Sequence, residues 1–240
     1  MTVQDAPDDW TPHFVCHHLD GEENQQAMLR TAYSLRHQVY CLECHFLSAD
    51  DYPEGLERDQ FDTHCAHFSA NNLLNEMVGY VRLVTARENV LFPFEEHCQN
   101  FLPQSEQPLR HETGEISRLI VRRDYRRRTG DNLAGVTIQT VKPGGQEVVQ
   151  DRRKPPQILL GLYRQMYIYS IQSGIRYWYA AMEKPLARAL SQLGFRFVQI
   201  SPEIDYYGNV VCYLADLRQL EAHLQQSNPE LLSWFRQGIS

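Results

Sequence analysis

Apolar residues recur along this chain at two spacings, and the alternation between them lays out its elements. From Glu23 to Glu43, Met28, Ala32, Leu35 and Val39 return at the interval of one helix face and predict a helix of several turns. Before it, His13 to Leu19 reads as a strand closed by Asp20-Gly21. After it, His64 to Ala70 and Glu76 to Ala86 read as two strands of a hairpin around the polar Asn71-Asn72. Phe92 to Phe101 predicts a short helix, with Pro93 in its first turn and Pro103 beyond its end. Glu115 to Arg123 is the next strand, apolar through Ile116, Leu119, Ile120 and Val121. Residues 129–155 carry Gly130, Gly135, Pro143, Gly144, Gly145 and Pro155 without periodicity, as an inserted loop would.

Pro156 then opens a helix that reaches Ser173, with Leu159, Leu162, Met166 and Tyr169 on its apolar side and Gly174 as its stop. Ile175 to Met182 predicts a buried strand and Pro185 to Leu193 a short helix ended by Gly194. Phe195 to Ile200 and Val210 to Ala215 are two final strands around Tyr207-Gly208-Asn209. Leu217 to Phe235 is helical and restarts at Ser227-Asn-Pro. A helix joins the strands near Leu119 and Trp178, so these two are parallel neighbours in a mixed α/β sheet. The expected organisation is a flexible tail over residues 1–12, one α/β domain over 13–216 and a helical extension over 217–240.

Composition narrows the classes. With 240 residues, 42% hydrophobic and 22% charged, the chain can bury a substantial core. No run approaches the roughly 20 apolar residues of a membrane span, so peripheral contact is the most that a membrane is expected to have. The polar, acidic start is unlike a signal peptide, and six cysteines without one are expected to be reduced thiols in a cytoplasmic protein. A net charge of −7 argues against nucleic acid as a partner. Yet Arg122-Arg-Asp-Tyr-Arg-Arg-Arg128 places five arginines in seven residues, a local surface for an acidic partner. Phosphate-cradling glycine loops, His-Glu-x-x-His and Gly-x-Ser-x-Gly are all missing from the sequence.

Two groups of residues invite chemistry. Cys41, Cys44, Cys65 and His67 are types that bind zinc, but they would have to converge from a helix and a strand without a second C-x-x-C. Buried thiols and no metal are the expectation there. The other group is charged: Arg36 in an apolar helix, Asp59 and Asp62 around Phe61, Arg82 inside Val81 and Leu83, Glu115 and Arg118 within a core strand. Buried charges persist only when paired. They form either an ion-pair lattice or an enclosed polar site with one carboxylate left as a base.

Arg36-x-x-Val-Tyr40, Asp59-Gln-Phe-Asp62, Gly79-Tyr-Val-Arg82 and Glu115-Ile-Ser-Arg118 resemble, in order and spacing, motifs of the acyl-homoserine-lactone (autoinducer) synthases. Val39-Tyr-Cys-Leu-Glu43, Tyr52-Pro-Glu-Gly-Leu-Glu-Arg-Asp59 and Tyr177-Trp-Tyr-Ala-Ala-Met-Glu183 are similar to the PEP-CTERM/exosortase system-associated acyltransferases, relatives of the N-acyl amino acid synthases. The resemblance spans residues 30–216 and belongs to the GNAT superfamily.

It implies a GNAT acyltransferase fold: a mixed, mostly antiparallel central sheet with a splayed parallel strand pair, flanked by helices. The implied reaction moves a long-chain fatty acyl group from an acyl carrier protein thioester to the amine of an amino acid, giving an N-acyl amino acid. The donor arm is phosphopantetheine, on acyl carrier protein or in acyl-CoA, and no cofactor is bound permanently. Glu115 is the expected base, with Arg118 beside it if a bulge turns both inward. Arg36 and Arg118 are expected to pair with Asp59 and Asp62, fixing the helix end over the site or holding the acceptor's carboxylate, and Arg82 would take either part. Tyr40 and Phe46 would contact the acceptor. Phe46 stands where autoinducer synthases have tryptophan, which favours a free amino acid over S-adenosylmethionine. Phe92, Phe94 and Trp178 would house the acyl chain, together with Met166, Tyr177 and Phe195. Arg122, Arg123, Arg126, Arg127 and Arg128 would dock the acidic carrier protein. Signal synthesis of the acyl-homoserine-lactone type is the alternative within this fold, and a non-catalytic metal- or partner-binding module is the alternative outside enzymology.

Overall fold

The computed structural model describes residues 10–19, 23–103, 107–126 and 157–239. The expected insertion over 129–155 and most of the expected tail lie outside these residues. The strands are β1 (Phe14–Leu19), β2 (Cys65–Asn72), β3 (Met77–Thr85), β4 (Thr113–Val121), β5 (Tyr177–Met182), β6 (Val198–Asp205) and β7 (Asn209–Asp216). They form one sheet in the order β1-β2-β3-β4-β5-β7-β6. The helices are α1 (Gln26–His37), α2 (Gln157–Gln172), α3 (Lys184–Gln192), α4 (Leu217–Ser227) and α5 (Pro229–Arg236). None among the described residues is long and apolar enough to cross a membrane.

As the crossover rule predicts, β4 and β5 are parallel, paired from Thr113↔Tyr177 to Ile116↔Ala180. On the other side β5 is antiparallel to β7, and β7 to β6, with a register shift between Gln199 and Glu203. The chain groups into two compact units, Met1–Glu57, Phe68–Tyr80 and Arg118–Gln165 in one, Arg58–His67, Val81–Ser117 and Met166–Ser240 in the other.

In the first unit Leu19, Ala32, Leu35, Val39, Met77, Tyr80 and Ile120 form a buried cluster, so the predicted helix face is the face that packs. The helix itself has three parts. A 3-10 turn at Glu23–Gln25 leads into α1, and α1 passes into a π-helical stretch, Gln38–Glu43, closed by the Cys44 N–H on the Val39 carbonyl at 2.9 Å. The hairpin turn sits later than predicted. Asn72 carries the strand on and uses its side-chain oxygen to take the N–H groups of Leu74 and Glu76, and Asn75 adopts a left-handed φ of +62°.

In the second unit the core is aromatic: Phe61, Phe92, Phe94 and Tyr177 with Val84, Cys98, Ile200, Cys212 and Leu214. The predicted helix over Phe92–Phe101 does not form; only a 3-10 turn, Pro93–Glu96, is present. The Phe92 N–H bonds to Glu95 and the Phe94 N–H to Glu115, donors that any helix start leaves free, so they cap the turn, which the Cys98 N–H closes on the Phe94 carbonyl at 2.8 Å. Likewise β6 begins at Val198 rather than Phe195. The Phe195 N–H closes α3 on the Leu190 carbonyl, and its ring packs on Phe235. The six cysteines are free thiols.

Candidate active site

In the second unit, the D-x-x-D spacing builds a small acidic turn. The Asp59 carboxylate accepts the Phe61 N–H at 2.9 Å while Asp62 accepts the Asp59 N–H at 2.8 Å, a reciprocal cap on the turn Gln60–Thr63. Both side chains are thereby fixed facing Arg82. Its Nη1 donates to Asp59 at 2.6 Å and to Asp62 at 2.9 Å, its Nε donates to the Ser117 hydroxyl at 2.9 Å, and the guanidinium lies 5.9 Å from the Phe61 ring centre. Arg82 is fully buried, so this pairing is what lets β3 carry a charge through the core.

Glu115 is only 2% exposed. It sits opposite Tyr179 in the parallel register and accepts the Phe94 N–H at 3.0 Å. The Tyr179 ring lies 4.8 Å from Phe94 and 5.9 Å from Phe92, so an aromatic wall stands beside the strand pair that carries Glu115. A clamp holds that wall. Arg110 donates to both oxygens of Glu95 at 3.0 Å, lies over the Phe92 ring at 4.6 Å, and also donates to the Val90 carbonyl. The acidic turn is tied to the same segment through Gln60, whose amide donates to Glu96 at 3.1 Å. Glu115, Asp59, Asp62 and Arg82 are therefore ordered around one aromatic core.

In the first unit a second network centres on Glu57. Arg36 Nε donates to it at 2.5 Å, and Arg118 donates through Nε and Nη2 at 3.1 Å each. Arg36 and Glu57 are both fully buried. Burial alone would push the Glu57 carboxyl up, but the charges and bonds of Arg118 and Arg36 outweigh it and hold it down at about 2. The Tyr40 ring lies 5.2 Å under the Arg118 guanidinium, and its hydroxyl donates to the Leu119 carbonyl at 3.4 Å. Burial pushes that phenol up to about 12. Phe46 packs against Tyr40 with ring centres 6.3 Å apart and donates its N–H to the Tyr40 carbonyl.

Arg118 itself has φ of +54°, a left-handed conformation that costs an arginine about 1–2 kcal/mol. It interrupts the extended backbone of β4 three residues after Glu115. Strain of this kind gathers at functional positions.

Glu57, absent from the sequence-based list of charges, takes bonds from both Arg36 and Arg118, and Arg82 bonds to Asp59 and Asp62. No periodicity could reveal Glu57, because it lies in an irregular segment after Gly55. Trp178 lies on the opposite face of β5 from Tyr177 and Tyr179 by strand alternation, fully buried with its indole N–H on Ser170 of α2 at 2.9 Å. Of the expected docking arginines, Arg126 is buried on Glu43 and the Val121 carbonyl, and Arg122 is bound to Asp124. Arg123 is exposed, and Arg127 and Arg128 lie outside the described residues. Cys65 and His67 share a face of β2 with Asp62 alongside, a grouping that could hold a metal ion.

Residues 35–135 match the acetyltransferase (GNAT) domain family. Among solved structures, the acyl-homoserine lactone synthase LasI superposes with a TM-score of 0.58 at 15% identity, over 85% of this chain and 90% of that one. BjaI, a CoA-dependent acyl-homoserine lactone synthase solved with MTA, gives 0.60 at 17%, over 89% and 88%. TofI, solved in a ternary complex with an inhibitor and MTA, gives 0.60 at 16%, over 91% and 99%. No curated protein sequence matches the chain. At these identities the structural likeness is one of fold: the chain shares the fold of LasI and BjaI, and its residues 35–135 are similar to the acetyltransferase (GNAT) domain.

Proposed function

We propose that this protein is an N-acyltransferase that moves a long-chain fatty acyl group from an acyl carrier protein thioester to the amine of an amino acid. The observation that carries the reading is Glu115, a buried carboxylate opposite Tyr179 that accepts the Phe94 N–H, one residue before the parallel pairing of β4 and β5 ends at Ile116↔Ala180. An ammonium group cannot attack a carbonyl; it must first lose a proton. Glu115 takes that proton, directly or through a water. The amine nitrogen then bonds to the thioester carbonyl carbon, and backbone N–H groups hold the resulting oxyanion. Collapse of the intermediate breaks the C–S bond, and the departing pantetheine thiolate takes up the second proton that the bonded amine nitrogen gives up.

Asp59 and Asp62 offer the acceptor's ammonium a negative surface that the capping turn keeps in place. The aromatic core offers the acyl chain apolar surface. LasI and BjaI are acyl-homoserine lactone synthases by name and BjaI is CoA-dependent, which supports acyl transfer generally and makes acyl-CoA the competing donor. Phe46, in place of the tryptophan typical of autoinducer synthases, favours an amino acid acceptor.

The test is to incubate the purified protein with palmitoyl-carrier protein and pooled amino acids, and separately with palmitoyl-CoA, and to read amide products by mass spectrometry. An N-palmitoyl amino acid is expected with the carrier protein, reduced about a hundredfold or more by Glu115→Gln. No amide from either donor, or a Glu115→Gln variant as active as the parent, overturns the proposal.

A further inference from the structure

We propose that Asp62, Cys65 and His67 form a binding site for a divalent cation of zinc type. The sequence drew attention to Cys41, Cys44, Cys65 and His67 together, but the structure joins the last two to a different third ligand. Alternation along β2 puts Cys65 and His67 on one face, and Cys65 Sγ lies 3.3 Å from His67 Nε2. A carboxylate oxygen of Asp62 completes the group, with all three ligand atoms within 4.8 Å of one another.

Thiolate, imidazole and carboxylate are zinc's own ligand types. A tetrahedral zinc, about 2.0 Å from nitrogen and about 2.3 Å from sulfur, sets those two atoms about 3.5 Å apart. Cys65 and His67 already stand near that separation. Asp62 need close by only about 1 Å to reach its place at similar bond lengths.

The surroundings suit a cation in two ways. First, the Asp62 carboxylate is oriented in advance, because it accepts the Asp59 N–H at 2.8 Å. Second, Asp59 and Asp62 place two carboxylates beside the group, both bonded to Arg82. Arg82 lies 2.9 Å from Asp62, which sets the affinity below that of a four-ligand structural site. Three protein ligands leave a fourth position for water or another small ligand, as in exchangeable zinc sites. His67 is buried while Cys65 and Asp62 are half-buried, so the ion reaches the group from the Asp62 and Cys65 side.

The experiment uses the full chain, stripped with a chelator and titrated with Co²⁺ and, separately, Zn²⁺. With cobalt, a thiolate-to-metal charge-transfer band and d–d bands of tetrahedral intensity are expected at one equivalent. Zinc is expected to bleach them and to raise the midpoint of thermal unfolding as its free concentration rises. Cys65→Ser should abolish the charge-transfer band, and His67→Gln should weaken cobalt binding at least about tenfold. Cys41→Ser and Cys44→Ser should change neither. Absence of the band in the parent overturns the proposal. So does a band that survives Cys65→Ser, or one lost in Cys41→Ser. Should Cys65→Ser fail to fold, the His67→Gln titration and the two control variants decide the matter alone. None of these readouts depends on acyl transfer.

Discussion

Replacing Glu57 by glutamine keeps the shape of the side chain and removes its charge from between Arg36 and Arg118. The carboxylate meets Arg36 at 2.5 Å and Arg118 twice at 3.1 Å, with no solvent exposure. In the folded protein its carboxyl is held at about 2, against an ordinary 4.5. At 1.36 kcal/mol per pH unit, that difference is worth about 3 kcal/mol of stability at neutral pH. Breaking a buried pair by removing one partner costs about 3–5 kcal/mol, so the two routes agree.

In a chain of this size, about 3 kcal/mol lowers the thermal midpoint by about 6–12 °C. Thermal and urea unfolding of parent and Glu57→Gln, followed by circular dichroism, measure it. The sign of the pH dependence follows from the direction of the shift. A carboxyl held below its unfolded value contributes fully above 4.5 and loses that contribution as pH falls toward about 2. The gap between the two proteins should therefore narrow as pH falls through that window. A variant within about 1 kcal/mol of the parent at neutral pH, or a gap that stays constant on acidification, would refute the reasoning.

Two more outcomes concern the second unit. Arg82→Ala leaves Asp59 and Asp62 facing each other without their shared cation and should cost about 3–5 kcal/mol in urea unfolding. Arg82→Lys should recover part of that, since it keeps the charge but not the fork that also reaches Ser117. Arg110→Ala removes a partly exposed ion pair and should change stability by no more than about 1 kcal/mol. Acyl transfer should nonetheless fall about tenfold, because the turn that carries the Phe94 N–H to Glu115 loses its clamp. Arg110→Lys, which cannot grip both oxygens of Glu95, should restore the rate only in part.

The elements whose periodicity is local could be read from the sequence. The face Met28, Ala32, Leu35 and Val39 packs as its spacing says, and the handedness of crossovers was enough to make β4 and β5 parallel. Pairing of charges was less legible. Which acid meets which arginine depends on how the irregular segment before Asp59 folds back, and Glu57 carries no pattern to announce its burial. The Phe92 region failed for a different reason. Its residues suit a helix start, and that start forms as the turn Pro93–Glu96 with Glu115, distant in sequence, capping the Phe94 N–H; no local pattern marks that the helix goes no further. Trp178 is the exception, since strand alternation in Tyr177-Trp178-Tyr179 already places it on the opposite face from its neighbours.

The π-helical stretch Gln38–Glu43 has a consequence for comparing this chain with others. Such a stretch is in effect an α-helix with one surplus residue. Deleting any one position there would restore regular winding and turn everything after it by about 100°. Glu43 would swing away from Arg126, and the Phe46 N–H would leave the Tyr40 carbonyl. An alignment that closes this segment with a single gap is therefore marking a rotation, and Tyr40, Glu43 and Phe46 must be matched to a relative by position in space rather than by count along the chain.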